Sequence, residues 1–195
     1  MAPLVRVTRN LAIGAAVAIG LTGCTSNTTP TAARQSEGRP FTPLANMKAI
    51  GIDNDPLQEV ADSLDDTPTY LAEVRAESLR LLLYVNSDGC GFVSVSNTEP
   101  RTIDINLTSK WPTGQDNTKT PTGGYNTASA SGTDDSWAQL KCSKSAMTVE
   151  YKHPSVKVES QRGIVSIAEP TNQHPSLLLV AGEQRARKPA FEWSR

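Results

Sequence analysis

Between Leu79 and Val180 the apolar residues come in short runs separated by turn-forming residues, a pattern that leaves few folds open. Leu79-Arg-Leu-Leu-Leu-Tyr-Val85 reads as a buried strand, bounded by Asn86-Ser-Asp-Gly89, and Phe92, Val93 and Val95 resume the run after that turn. Thr102-Ile-Asp-Ile-Asn-Leu107 alternates, with Ile103, Ile105 and Leu107 expected inside and Asp104 and Asn106 outside. Ala138, Leu140 and Cys142 alternate in the same way, and Met147, Val149 and Tyr151 follow after Ser143-Lys-Ser-Ala146 as the second arm of a hairpin. Shorter strands are expected at Val156/Val158, Ile164–Ile167 and Leu177–Val180. The fold class is therefore mainly β: an antiparallel β-sandwich or partial barrel of about seven to eight short strands. Repeated βα alternation is absent, which argues against a Rossmann-type sheet.

One short helix is expected ahead of these strands. Asp55-Pro56-Leu57-Gln58 supplies an N-cap, a proline at the first helical position and a capping-box glutamine. Leu57, Val60, Ala61 and Leu64 fall on one face, and Asp65-Asp66-Thr67-Pro68 ends the helix. Tyr70–Ala76 fits a helical turn or a strand equally well. The β-rich domain is expected over residues 44–182, with a long polar loop at 110–136 and a basic tail at 183–195 carrying Arg185, Arg187, Lys188, Phe191 and Trp193. That tail reads as a frayed terminus.

The leader is more specific. MAPLVRVTRN carries Arg6 and Arg9 and no acid, and Leu11-Ala-Ile-Gly-Ala-Ala-Val-Ala-Ile-Gly-Leu21 is an apolar stretch too short for a stable bilayer span. It runs into Leu21-Thr22-Gly23-Cys24, which resembles the lipobox of bacterial lipoproteins. The resemblance implies cleavage of a 1–23 signal peptide between Gly23 and Cys24, and diacylglycerol on the Cys24 thiol. Two acyl chains meet the condition for stable attachment, so the expected location is the extracytoplasmic face of the cell membrane. Arg6 and Arg9 are not adjacent, which favours general secretion over a twin-arginine route. Residues 24–43, rich in Thr, Ser, Pro and Ala, read as a flexible tether.

Cleavage would remove two of the 19 basic residues and none of the 20 acidic ones, leaving a net charge of −3. That balance argues against nucleic acid as a partner. No stretch after residue 23 has 18 consecutive apolar residues.

The chain has three cysteines. With Cys24 assigned to lipid, Cys90 and Cys142 remain, and an exported setting predicts a disulfide between them. No CxxC spacing points to redox chemistry. Leu81-Leu-Leu-Tyr-Val-Asn-Ser-Asp-Gly-Cys90, with a second cysteine further on, resembles small actinobacterial-type lipoproteins over the leader and about half of the domain. That likeness implies location and fold rather than chemistry.

Catalytic motifs are missing: the sequence contains neither G-x-S-x-G nor Ser-x-x-Lys, and its two histidines, His153 and His174, each precede a proline. His153, His174, Met147 and Met47 are the residues that would gather around a soft ion such as copper, although Met147 also alternates with core residues. Asp53-Asn54-Asp55 with Glu59 has a calcium-loop flavour, but lacks the loop glycine of an EF-hand and is explained by the helix cap. Trp111 and Tyr125 are isolated aromatics in polar sequence, suited to gripping a glycan or a partner protein.

The expected function is a non-catalytic binding or regulatory module of the cell envelope, without a cofactor. A metal- or small-ligand-binding lipoprotein is the alternative, and a hydrolase of envelope polymer the second.

Overall fold

In a computed structural model, residues 40–58, 67–97, 102–113, 125–129, 136–154 and 156–193 are described, without the side chains of Tyr125 and Trp193. They belong to the unit Pro40–Arg195 and contain ten strands, a 3-10 turn at Leu44–Asn46 and an α-helix, α1, at Gln184–Trp193. The strands are β1 Thr69–Ala76, β2 Leu79–Val85, β3 Gly89–Ser96, β4 Ile103–Lys110, β5 Tyr125–Ser129, β6 Trp137–Cys142, β7 Ala146–Lys152, β8 Val158–Gly163, β9 Val165–Ala168 and β10 Leu177–Gly182. They form two five-stranded antiparallel sheets in the orders β4-β3-β2-β1-β8 and β5-β6-β7-β10-β9, and neither closes into a barrel.

One hydrophobic cluster draws on both sheets: Leu71, Val74, Leu81, Leu83, Phe92 and Leu107 from the first, and Leu140, Met147, Val149, Tyr151 and Leu179 from the second. β2 and β10 are buried along their whole length, as their unbroken apolar sequences require. β6 alternates as its sequence does. Ser94 Oγ and the Tyr151 hydroxyl meet at 3.2 Å within this layer, joining β3 to β7. Cys90 on β3 and Cys142 on β6 lie at disulfide-bonding distance, their Cα atoms 6.3 Å apart. The pair ties the second strand of one sheet to the second strand of the other, next to the edge strands β4 and β5.

The sheets also meet at both edges. On one side the Asn126 side-chain amide of β5 donates to the Thr108 carbonyl of β4 at 3.1 Å. On the other the chain passes from β8 in the first sheet to β9 in the second within two residues. Gly163 makes that corner at φ 85°, where a Cβ would run into the Leu71 carbonyl oxygen. A side chain is excluded there by both backbone conformation and space.

Four expectations need correction. Ten strands replace seven to eight, because Thr69–Ala76 is a strand despite its charged residues and Tyr125–Ser129 forms one inside the expected polar loop 110–136. The α-helix found is C-terminal. The expected N-terminal helix is described only as far as Gln58, where the Asp55 carboxylate does accept from the Leu57 amide at 2.8 Å, and its remainder at 59–66 lies outside the described residues. The basic tail 183–195 is helical over Gln184–Trp193. Its buried stripe is Ala186 and Ala190 against Ala146, Leu178 and Val180, and alanines one turn apart carry little hydropathy signal. Finally, Ile103 is 37% exposed rather than inside. The β3–β4 register shifts between Ser94 and Val95, so Ile105 pairs with Ser94 while Ile103 pairs with Val95, and this bulge turns Ile103 to the outer face.

Replacing Cys90 and Cys142 with alanine is expected to lower the unfolding free energy by about 4 kcal/mol, the chain-entropy value for closing a loop of 52 residues. Urea denaturation of the variant beside the oxidised protein measures the loss.

Candidate functional site

The outer face of the first sheet carries charge where a strand face would ordinarily be apolar or loosely polar. Only two residues, Glu77 and Ser78, separate β1 from β2, and their pairing sets Arg75 directly opposite Arg80. Arg80 in turn pairs with Val95, and Val95 with Ile103. Two guanidiniums and two branched aliphatic side chains therefore occupy one row across four strands. At about 4.8 Å per strand the row spans roughly 14 Å between the Cα atoms of Arg75 and Ile103.

Like charges directly opposite on a sheet repel, and Glu73 offsets them. Its carboxylate is 1% exposed; Oε1 accepts from Arg80 Nε at 2.6 Å and from Arg75 Nε at 3.1 Å. Oε2 accepts from Arg162 Nε at 2.7 Å and also from Arg162 Nη2, on β8. Glu73 and Arg162 are themselves cross-strand partners. The side chain of Arg80 is 10% exposed, whereas those of Arg75 and Arg162 are 50% and 48% exposed. The Arg80 pair therefore carries most of the stabilisation, since exposed ion pairs contribute little.

Residues 50–58 cover part of this face. The Ile50 amide donates to the Tyr70 carbonyl at 2.9 Å, and Leu57 is buried among Tyr70, Leu82, Tyr84, Val93 and Val95. The chain turns through Asn54 in the left-handed region, φ 50°, which asparagine tolerates. The carbonyls of Asp53 and Asn54 accept from Arg80 Nη1 at 2.8 and 3.4 Å, and that of Gly51 from Arg162 Nη2 at 3.2 Å. The Tyr70 hydroxyl donates to the Asp55 carboxylate. Burial, and then that hydrogen bond, raise the Tyr70 pKa well above the usual phenol range. Burial pushes Tyr84 up to about 12. Both phenols stay protonated.

A cleft of about 830 Å³ opens along the arginine–aliphatic row, walled by Asp53–Pro56 and Gln58 on one side and by Ser96 and Asn97 on the other. Among the described residues, Arg80 Nη2 is one of two buried side-chain polar atoms without a hydrogen-bond partner; the other is Arg187 Nε. A buried donor left unmatched costs about 1–3 kcal/mol, and more when it is charged.

Of the residues singled out from sequence, Asp53, Asn54 and Asp55 border this cleft and the others lie elsewhere. Trp111 is half-buried against the main core, its Nε1 donating to the Ser87 carbonyl at 3.0 Å and its amide to the Asp88 carbonyl at 2.8 Å. It borders a cleft of about 420 Å³ with Pro43, Ala45, Pro112, Thr113 and Lys144. It is pinned to the β2–β3 turn rather than carried on a loop. Tyr125 begins β5, paired with Lys141. Met147 is fully buried between the sheets' apolar residues and Met47 packs against the same cluster, so neither is placed as a metal ligand. His153 stacks on Tyr151 with ring centroids 6.1 Å apart, and His174 sits in an exposed turn closed by the Thr171 amide donating to its carbonyl at 2.7 Å. Among the described residues no group of three or more His, Cys, Asp or Glu side chains is arranged to hold a metal. Cys24 and Gly23 lie outside the described residues.

Sequence reasoning passed over Glu73, Arg75 and Arg80. The available signal was the i, i+2 charge pair Glu73-x-Arg75 within an apolar stretch, mirrored across a two-residue turn by Arg80.

Two outcomes follow from the buried carboxylate. Glu73→Gln leaves three guanidiniums uncompensated and is expected to cost about 3–5 kcal/mol, whereas Arg75→Gln, with a half-exposed side chain, is expected to cost under about 1 kcal/mol; chemical denaturation distinguishes them. Burial alone would raise the Glu73 pKa, but hydrogen bonds from Arg162 and Arg80 and the charges of Arg80 and Arg75 outweigh it and hold it below its ordinary 4.5. Its stabilisation is therefore complete above about pH 4.5 and disappears as pH falls through the lower folded-state value. Acid titration of stability should show that limb in the wild type and a flatter one in Glu73→Gln.

Comparison with known proteins finds no matching family model, no matching curated protein and no matching solved structure.

Proposed function

We propose that the chain is a bacterial exported lipoprotein whose β-sandwich domain binds or regulates another component of the cell envelope without catalysing a reaction. In this reading Leu21-Thr22-Gly23-Cys24 is a lipobox: the leader is cut between Gly23 and Cys24, and diacylglycerol on Cys24 holds the protein to the extracytoplasmic face of the cell membrane. Residues 24–43 are the tether.

The observation that carries the reading is the pairing of the remaining cysteines. Cys90 and Cys142 are both buried and at bonding distance. A disulfide of that kind fits an oxidising compartment outside the cytoplasm, and all three cysteines then have a use that export explains.

The binding half of the reading is supported by the cleft on the first sheet, where Arg75, Arg80, Asp53 and Asp55 stand beside the exposed Ile103.

Metabolic labelling with an alkyne fatty acid in a bacterial host that processes lipoproteins tests the anchor. The wild type is expected to take up label and to sediment with membranes, and Cys24→Ala to do neither. An unlabelled wild-type chain would overturn the lipoprotein reading.

A further inference from the structure

We propose that a second cleft, formed by the β9–β10 loop on the outer face of the second sheet, is a binding site for a sugar that carries no negative charge. This names a ligand class for the binding half of the function proposed above, at a place separate from the first-sheet cleft, and is independent of the anchor.

The site is built on one row across three strands. Glu150 on β7 pairs with Leu178 on β10, and Leu178 with Ala168 on β9. Glu150 and Ala168 are therefore two strand spacings apart, about 10 Å between Cα atoms. Their neighbours Val149, Tyr151, Leu177 and Leu179 take the core side, so this row faces outward. With side chains of residues 169–176 it lines a cleft of about 480 Å³, a volume suited to a small ligand. The Thr171 amide donates to the His174 carbonyl at 2.7 Å and the His174 amide to Thr171 Oγ1 at 3.1 Å, which holds the turn carrying Asn172 and Gln173.

Three observations converge on that ligand. The first is charge. Glu150 and Glu169 line the cleft, no lysine or arginine lines it, and neither carboxylate forms an ion pair with a described residue. An anion is repelled there. Among the described residues no group is arranged to hold a metal, so the carboxylates are left to accept hydrogen bonds from an organic ligand.

The second observation is the donor and acceptor inventory. Carboxylates only accept, whereas the Asn172 and Gln173 side-chain amides and the Ser176 hydroxyl donate as well. A ligand that matches all of them must both donate and accept in several directions. Hydroxyl groups do both, and an ammonium group only donates. Apolar lining is confined to Ala168 and Leu178, enough for the C–H face of a ring and too little for a hydrocarbon tail.

The third observation is Ser176. It is 7% exposed, and its hydroxyl makes no hydrogen bond to a described residue. It is also absent from the fully buried unpartnered atoms, which among the described residues are Arg80 Nη2 and Arg187 Nε. The hydroxyl therefore keeps its accessible surface in the cleft that it lines. A buried hydroxyl without an internal partner costs free energy that a ligand hydroxyl recovers.

Saturation-transfer NMR on the full chain in nanodiscs of uncharged lipid, with empty discs as the blank, measures the affinities. The probes are glucose, galactose, mannose and N-acetylglucosamine, each beside its uronate, with cyclohexanol and cyclohexylammonium as ring controls. At least one neutral sugar is expected to bind in the millimolar range. It is expected to bind at least about tenfold more tightly than its own uronate and than either control, the difference that one hydrogen bond or one like-charge contact makes.

Ser176→Ala and Glu150→Gln are each expected to weaken the tightest sugar severalfold, and Glu150→Gln to narrow the preference over the uronate. Ser176→Ala is expected to leave urea stability undiminished, because the hydroxyl has no internal partner to lose. Asn172→Ala, at a fully exposed residue, gives the same reading should either variant unfold. Failure of every neutral sugar to bind, equal affinity for a uronate or for cyclohexylammonium, or undiminished binding in the variants would each overturn the site. Fatty-acid labelling reads the anchor separately, so a chain that is labelled but binds no sugar removes this inference and leaves the lipoprotein reading standing.

Discussion

A single buried carboxylate organises one side of this protein. Glu73 gathers Arg80 from the neighbouring strand on one flank and Arg162 from the strand on the other, and its own strand contributes Arg75. Through those arginines it also fixes the covering segment, because Arg80 Nη1 and Arg162 Nη2 donate to the carbonyls of Gly51, Asp53 and Asn54. Three strands thus converge on two oxygen atoms, and the covering segment is held one bond further out. The arrangement is directional where hydrophobic burial is not: Leu57 supplies cohesion for the same segment, but the guanidinium–carbonyl bonds decide where it lies. The covering segment forms one wall of the cleft beside the arginines, and Ile103 is exposed at the far end of the row.

The shared core solves a different problem. Aromatic residues are 5% of the chain, so the core is built mainly from Leu, Val and Ala around Phe92 and Tyr151, whose ring centroids lie 5.6 Å apart. Such a core has little side-chain bulk per residue, and the two sheets are tied by other means as well. Cys90–Cys142 joins them next to the edge strands β4 and β5, Ser94–Tyr151 further along β3, Asn126–Thr108 at that edge and the Gly163 corner at the other.

The parts of the fold that could be read from sequence are those in which burial is two-sided or cleanly alternating. β2, β6, β7 and β10 lie in sheet interiors, and their patterns announce them. The polar β5 and β8 are edge strands, where solvent exposure removes the periodic apolar signal and polar residues protect against edge pairing. β1 was ambiguous because Glu73 and Arg75 sit where apolar residues would have marked the face. The Asp55 cap was legible because capping is a local interaction. The cleft was not, because it depends on cross-strand register and on one bulge: Ile103 belongs to the alternating set in sequence and leaves it only through the extra residue in β4. Trp111 stood out as an aromatic in polar surroundings, but its partners are the Ser87 and Asp88 carbonyls, more than twenty residues away.

The strap at Pro40–Thr42 has a mechanical consequence. Arg185 donates to the Pro40 carbonyl and lies 4.7 Å over the Phe41 ring, while Glu183 accepts from the Thr42 amide at 3.1 Å. Leu44 is then joined to the Lys144 carbonyl at 2.7 Å. Tension applied through residue 40 would enter the fold at the start of α1 and reach the β6–β7 turn next, on the second sheet. These first contacts are few, exposed and polar, so they would yield one after another at low load. The first sheet, with Glu73 and its arginines, would meet the pull only after the strap had peeled away and the load had reached Ile50, whose amide is bonded to the Tyr70 carbonyl.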